Sequence, residues 1–208
     1  MLAMRVQRII FKVNMITKLP SVSKSLIGCL VFMGFTVGSY AQEVLLPPFG
    51  LQWGGGAETL KKWASDQQLK ITERALSDKP RHTIIRVKSA SGPLPDHKAD
   101  ALEARYHAGK LYEVSVHYGA TTGDPKSIVN EFNNLKSLLA VKHGMFSPNN
   151  KQQNKVEGGI SKSVSYHVEP VSGVVLLMVL SEFEDRVREA HYARFSLIYR
   201  NQNIIQMK

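Results

Sequence analysis

The chain has 208 residues, 27 Lys and Arg against 17 Asp and Glu, a formal net charge of +10, and one cysteine. This length suits one ordinary domain and can bury a core of its own. A single cysteine excludes an internal disulfide framework, and the basic residues are scattered rather than clustered as in nucleic-acid-binding segments. We therefore expect a globular fold that depends on packing and does not bind nucleic acid.

Residues 1–41 have the three-part pattern of a secretory signal peptide. They contain five basic residues and no acidic one, then an apolar run over residues 26–37, then Ser39 and Ala41 before Gln42. A signal usually spans roughly 15–30 residues, so we interpret residues 1–14 as an over-extended start, with Met15 as the alternative first residue. The competing interpretation is an uncleaved anchor, but a bilayer span needs roughly 20 apolar residues.

Cleavage after Ala41 would leave residues 42–208 as a single α+β domain without cysteine. That domain has 22 basic and 17 acidic residues, since five basic residues leave with the signal. We predict an exported protein, periplasmic or extracellular, with no transmembrane span after signal cleavage.

The first half of this domain predicts a helix and several strands. Residues 49–53 alternate and are interpreted as a short first strand that Gly54 ends. Apolar residues at helical spacing predict a helix over 57–68. Alternation with a period of two predicts further strands, over residues 70–76, 83–88, 101–107 and 111–118.

The second half repeats this order. Asp124 and Pro125 predict a helix start, because Asp caps free N–H groups and Pro suits the first turn. The helix is expected over 125–143, centred on Phe132, and Gly144 is a typical end. Residues 145–159 are polar and are interpreted as a mobile connector. Strands are predicted over residues 163–169, 174–182 and 191–200.

Short turns between strands indicate antiparallel pairing. The predicted fold is a two-layer α+β sandwich, in which two helices cover one face of an antiparallel sheet of about six to eight strands. When residues 70–76 are not counted, the helix over 57–68 precedes three strands, 83–88, 101–107 and 111–118, and the helix over 125–143 also precedes three. This order suggests a tandem α-β-β-β repeat. Residues 174–180 are apolar throughout and are expected to form an interior strand.

The layout resembles small secreted bacterial modules such as the β-lactamase inhibitory protein and the BamE-type outer-membrane assembly lipoproteins. The segment from Phe49 to Gly54, leading into a helix, is similar to their strand–glycine–helix openings. The resemblance implies an α+β fold. It covers about the first 30 residues after the signal in sequence and the rest of the chain only in layout. The chain departs from these modules in its lack of cysteines after the predicted signal and of a lipid anchor, and no functional residue is transferred.

No motif for a catalytic nucleophile, a metal or a cofactor is present in the sequence. Four histidines are expected on the polar face of predicted strands or at their edges, and could form a ligand or partner surface: His107, His117, His167 and His191. The first hypothesis is a non-catalytic envelope binding or assembly module, whose partner is an envelope protein or a second copy joined through an edge strand. The alternative is an exported enzyme or small-ligand binder that uses strand-face His, Tyr and Glu residues.

We predict that the exported protein begins at Gln42, because small residues at Ser39 and Ala41 suit a signal-peptidase site. N-terminal peptide sequencing of protein recovered from the envelope checks this. An intact N-terminus in the membrane, or a lipid-modified Cys29, would contradict it.

Overall fold

The computed structural model describes residues 45–77, 79–95, 97–119 and 124–206, which belong to one compact unit. The predicted signal peptide lies outside the described residues. The elements in chain order are α1 (Glu58–Asp66), β1 (Lys70–Leu76), β2 (Lys79–Lys88), β3 (Ala101–His107), β4 (Lys110–Tyr118), α2 (Pro125–His143), β5 (Ser147–Val156), β6 (Gly159–Val171), β7 (Val174–Asp185), β8 (Ala190–Asn201) and α3 (Gln202–Gln206).

The eight strands form one sheet in the order β1-β2-β3-β4-β8-β7-β6-β5. Every neighbouring pair is antiparallel. The predicted α+β class and the antiparallel sheet of six to eight strands are confirmed. Four strands follow each of α1 and α2, one more than the predicted three, and the two sets join where β4 pairs with β8.

The second helix begins and ends where the sequence predicts. The Asp124 carboxylate accepts hydrogen bonds from the backbone N–H groups of Lys126 and Ser127. At the other end Gly144 has φ of 98°, and its N–H donates to the carbonyl of Ala140. Capping at both ends satisfies backbone groups that a helix leaves without partners.

One hydrophobic cluster joins both long helices to the sheet. It contains Leu60 and Ala64 of α1 and Ile128 and Phe132 of α2. Alternate strand residues enter the same cluster, among them Val87, Leu102, Val116, Met178 and Leu197. A period of two along each strand sends only every second side chain to this core.

Two segments differ from their predictions. Residues 49–53 do not form a strand, because Phe49 and Gly50 adopt positive φ values of 61° and 67° that turn the chain. Residues 147–156, predicted to be a connector, form β5 and pair with β6. Every side chain of β5 is exposed, so this edge strand has no apolar alternation to reveal it. Helix α3 was not predicted.

Among the described residues, no helix combines the length and the apolar character needed to cross a membrane.

We predict that Phe132→Ala lowers the free energy of unfolding by about 3–5 kcal/mol, because the ring is only 1% exposed and its removal leaves a cavity. Leu138 on the same helix is 69% exposed, so Leu138→Ala should change stability by less than about 0.5 kcal/mol. Urea unfolding of both variants measures the difference. Similar small effects for both would show that α2 does not pack as described.

Candidate functional site

The sheet has a second face, on the side away from the helix-packed core, which we call the distal face. Its centre consists of three cross-strand rows that the register defines. The rows are Glu113, Arg200 and Val175; Ser115, Ile198, Leu177 and His167; and His117, Ser196, Val179 and Ser165.

The distal face has an apolar strip at its centre, formed by Val175, Leu177, Val179 and Ile198. These four side chains are half-buried. On the opposite face of β7, by contrast, Leu176 and Met178 are fully buried. The predicted interior position of this strand is confirmed, but only its helix-facing side is completely covered.

A charge network borders the apolar strip. The Glu113 side chain is 4% exposed, and its carboxylate accepts hydrogen bonds or ion pairs from the Nε groups of Arg105, at 3.2 Å, and Arg200. Arg105 also donates to Glu103 at 3.0 Å. Burial acts to lower the pKa of Arg105, but Glu113 and Glu103 outweigh it, so the pKa lies above its ordinary value. The network fixes both guanidinium groups, since a buried carboxylate is stable only with partners.

A cleft of about 260 Å³ opens beside Arg200. Three residues of the apolar strip, Val175, Leu177 and Ile198, line its floor. His167 also lines the cleft, and its Nδ1 atom is buried without a hydrogen-bond partner among the described residues. An apolar floor with a few polar groups is typical of small-ligand sites. The lining residues are Asn149, His167, Glu169, Val175, Leu177, Ile198, Arg200 and Gln202.

His117 lies on the other side of the apolar strip. Its Nδ1 is 2.8 Å from the Ser196 hydroxyl. Burial is the main cause that lowers the pKa of His117, and Arg86 and Arg194 act in the same direction, while Glu103 opposes them. The imidazole is therefore held in its neutral form, which can act as both donor and acceptor.

The four predicted histidines do not come together. His117 and His167 are three strands apart, which is about 14 Å at the usual strand spacing. His107 lies near the β3–β4 turn, and His191 lies near the β7–β8 turn, 3.3 Å from Glu182. In the parts of the chain that the structure describes, no three His, Cys, Asp or Glu side chains are grouped to hold a metal.

The sequence prediction missed several residues of the distal face. His82 fell outside the predicted strand 83–88, yet its ring contacts His107 and Tyr112. Sequence patterning places Arg105 and Arg200 only as polar members of alternating strands. Their contacts with Glu113 follow from the pairing of β4 with β8, which local patterning does not specify.

We predict that stability falls below about pH 6.5 partly through His117. The unfolded chain has an ordinary His pKa of about 6.5 and binds a proton more readily than the folded state. The contribution of His117 is therefore complete above that pH and is lost as the pH falls toward the lowered pKa of the folded state. Urea unfolding at about pH 7.5 and pH 5 measures this effect. Between these two pH values the free energy of unfolding should fall less for His117→Gln than for the wild type. Equal losses would contradict the assignment.

No protein family, curated protein or solved structure matches this chain. Its function must therefore be inferred from the geometry of the distal face.

Proposed function

We propose that this protein is an exported, non-catalytic binding or assembly module of the bacterial envelope, and that it binds a protein partner through the distal face. The observation that carries this proposal is the half-buried apolar strip of Val175, Leu177, Val179 and Ile198. Export to the periplasm or the cell exterior is supported by the signal-like pattern of residues 1–41.

The strip has the composition of an interface centre rather than of a solvated sheet face. Sheets with one wet face normally alternate apolar and polar side chains, but β7 carries apolar residues on both sides from Val174 to Leu180. Removal of such side chains from water contributes about 25 cal/mol per Å² of apolar surface. A partner that covers Leu177 and its neighbours would gain this hydrophobic free energy on binding.

Charges around the strip indicate the chemistry of the partner. The distal face carries four arginines, Arg86, Arg105, Arg194 and Arg200, and three carboxylates, Glu103, Glu113 and Glu169. Arginine is enriched at protein interfaces because it combines an apolar stem with several donors. We therefore propose an envelope protein that presents an apolar patch bordered by carboxylates.

The outer edge of β5 offers a second route to association. Its ten residues are all exposed, and among the described strands it pairs with β6 alone. A free edge can accept a strand from another chain. Lys151 and Lys155 lie on this edge, and lysine on an edge strand disfavours uncontrolled pairing. We therefore favour the distal face over self-association through the edge.

The cleft gives one specific reason to keep the small-ligand alternative. His167, Glu169 and Arg200 all line its apolar floor. Histidine and glutamate are two of the three residue types that the alternative requires. Stabilisation of the wild type, but not of Arg200→Gln, by a small molecule extracted from the envelope would favour this candidate.

For the fold itself we propose a two-layer sandwich built from a tandem repeat. Support comes from the shared core of α1 and α2 and from the order of one helix and four strands, found twice. The pairing of β4 with β8 would place the two repeats about a pseudo-twofold axis. A resemblance to secreted inhibitory and outer-membrane assembly modules agrees with this proposal at the level of layout.

We predict that Leu177→Asp leaves the protein folded but abolishes partner binding, because the new carboxylate interrupts the apolar strip and repels an acidic partner. Met178→Asp should prevent folding, since Met178 is fully buried against the helices. The measurement is capture of partners from a native envelope fraction, with identification by mass, alongside thermal unfolding and sedimentation.

Val141→Asp is the matched control, because Val141 is an apolar residue that is 90% exposed on α2. It should capture the same partners as the wild type. Unfolding by Leu177→Asp would show that the fold itself requires both faces of β7, and would remove the argument for a binding surface. Unchanged capture by a folded Leu177→Asp variant would also overturn the proposal.

A further inference from the structure

His82 and His107 form a close pair at the end of the distal face, away from the cleft. They lie directly opposite each other on β2 and β3. The Nε2 atom of His82 is 3.1 Å from the Nδ1 atom of His107, and the ring centroids are 4.6 Å apart. Two imidazole nitrogens this close can share a proton or a metal ion.

The nitrogen–nitrogen distance suits a shared metal ion. Imidazole nitrogens bind zinc or copper at about 2.0–2.1 Å. Two such nitrogens on one ion are about 2.9 Å apart at a square-planar angle and about 3.3 Å apart at a tetrahedral angle. The observed 3.1 Å falls between these values.

The orientation of the rings points the same way. A nitrogen lies about 1.15 Å from its ring centre, so a head-on hydrogen bond, the preferred geometry, would place the centroids about 5.4 Å apart. A shared ion bound at an angle of about 100° would place them about 4.8 Å apart. The observed 4.6 Å is closer to the value for a shared ion than to the value for a head-on hydrogen bond.

Tyr112 positions the His82 ring. Its hydroxyl lies 3.2 Å from Nδ1 of His82, and the two rings meet at 90°. When Nδ1 of His82 donates to this oxygen, Nε2 faces His107 as an acceptor. A hydrogen bond to the second ring nitrogen is the usual support of a histidine ligand.

We propose that His82 and His107 bind one divalent transition-metal ion, with Cu(II) preferred over Zn(II), and that Tyr112 is a positioning residue. Copper is favoured because Cu(II) binds nitrogen ligands more tightly than the other first-row divalent ions. Two side chains leave coordination positions for water or for an oxygen donor from another molecule. The site lies apart from the apolar strip and does not depend on the proposed function of the distal face.

A neighbouring cation limits the affinity and provides a sharp test. Lys110 pairs with His107 across the β3–β4 turn, where opposite side chains have Cβ atoms about 4.5–5.5 Å apart. Its ammonium group repels a metal ion. Lys110→His would remove that charge and place a third imidazole within reach of the ion.

The test is calorimetric titration of the full chain with Cu(II) alone and with Zn(II) alone. The wild type should bind one Cu(II) at this site more tightly than Zn(II), and electron paramagnetic resonance should show two nitrogen ligands. His107→Ala should weaken binding at least tenfold, whereas Lys110→His should strengthen it at least tenfold. Tyr112→Phe should weaken it severalfold, which a purely structural role would not require.

His117→Ala is the matched control, since His117 lies on the same face but pairs with Ser196. Thermal unfolding without metal should show that each variant is folded. Binding through Cys29 would appear equally in all of these variants and would not change the comparison. Equal copper affinity in the wild type and His107→Ala, or no gain in Lys110→His, would overturn the proposal.

Discussion

The pairing of β4 with β8 is the constraint on which the rest of the structure depends. It joins two sets of four strands that are otherwise sequential hairpins, and it brings Glu113 opposite Arg200, 87 positions apart in the chain. Local turns specify each hairpin, but only this contact makes one eight-stranded sheet. A buried carboxylate that needs two guanidinium groups also disfavours other registers, because a shift by one residue would leave Glu113 in the core without partners.

That register determines the character of both faces. With Glu113 on the distal side, Val114 and Val116 must point toward the helices, where both are fully buried. The same alternation continues through β8 into β7, so Met178 enters the core and Leu177 does not. The apolar strip therefore has a simple origin. The strand β7 is apolar on both sides, but only one of its sides packs into the core beneath the helices.

Much of the fold could be predicted from the sequence because its signals are local. The Asp124 cap and the stripe around Phe132 gave the bounds of α2, and alternation gave β3. By contrast, β5 is an exposed edge strand with no apolar pattern, and its structure comes from hydrogen bonds to β6. The segment at Phe49 shows the opposite case, because it alternates like a strand but does not form one. Positive φ values turn the chain there into a loop, and the Phe49 ring packs 5.0 Å from that of Trp63.

The candidate sites were less predictable, because they depend on register rather than on sequence spacing. His107 was recognised as a strand-face residue, but its contact with His82 requires knowledge that residues 82 and 107 are cross-strand partners. The same holds for Arg105 and Arg200, which lie over Glu113 while remaining 37% and 39% exposed. Their guanidinium groups are already fixed by that carboxylate, so a partner that binds them loses less side-chain entropy than it would with mobile arginines. Preorganised charge beside a half-buried apolar strip is therefore the physical basis for specific binding at the distal face.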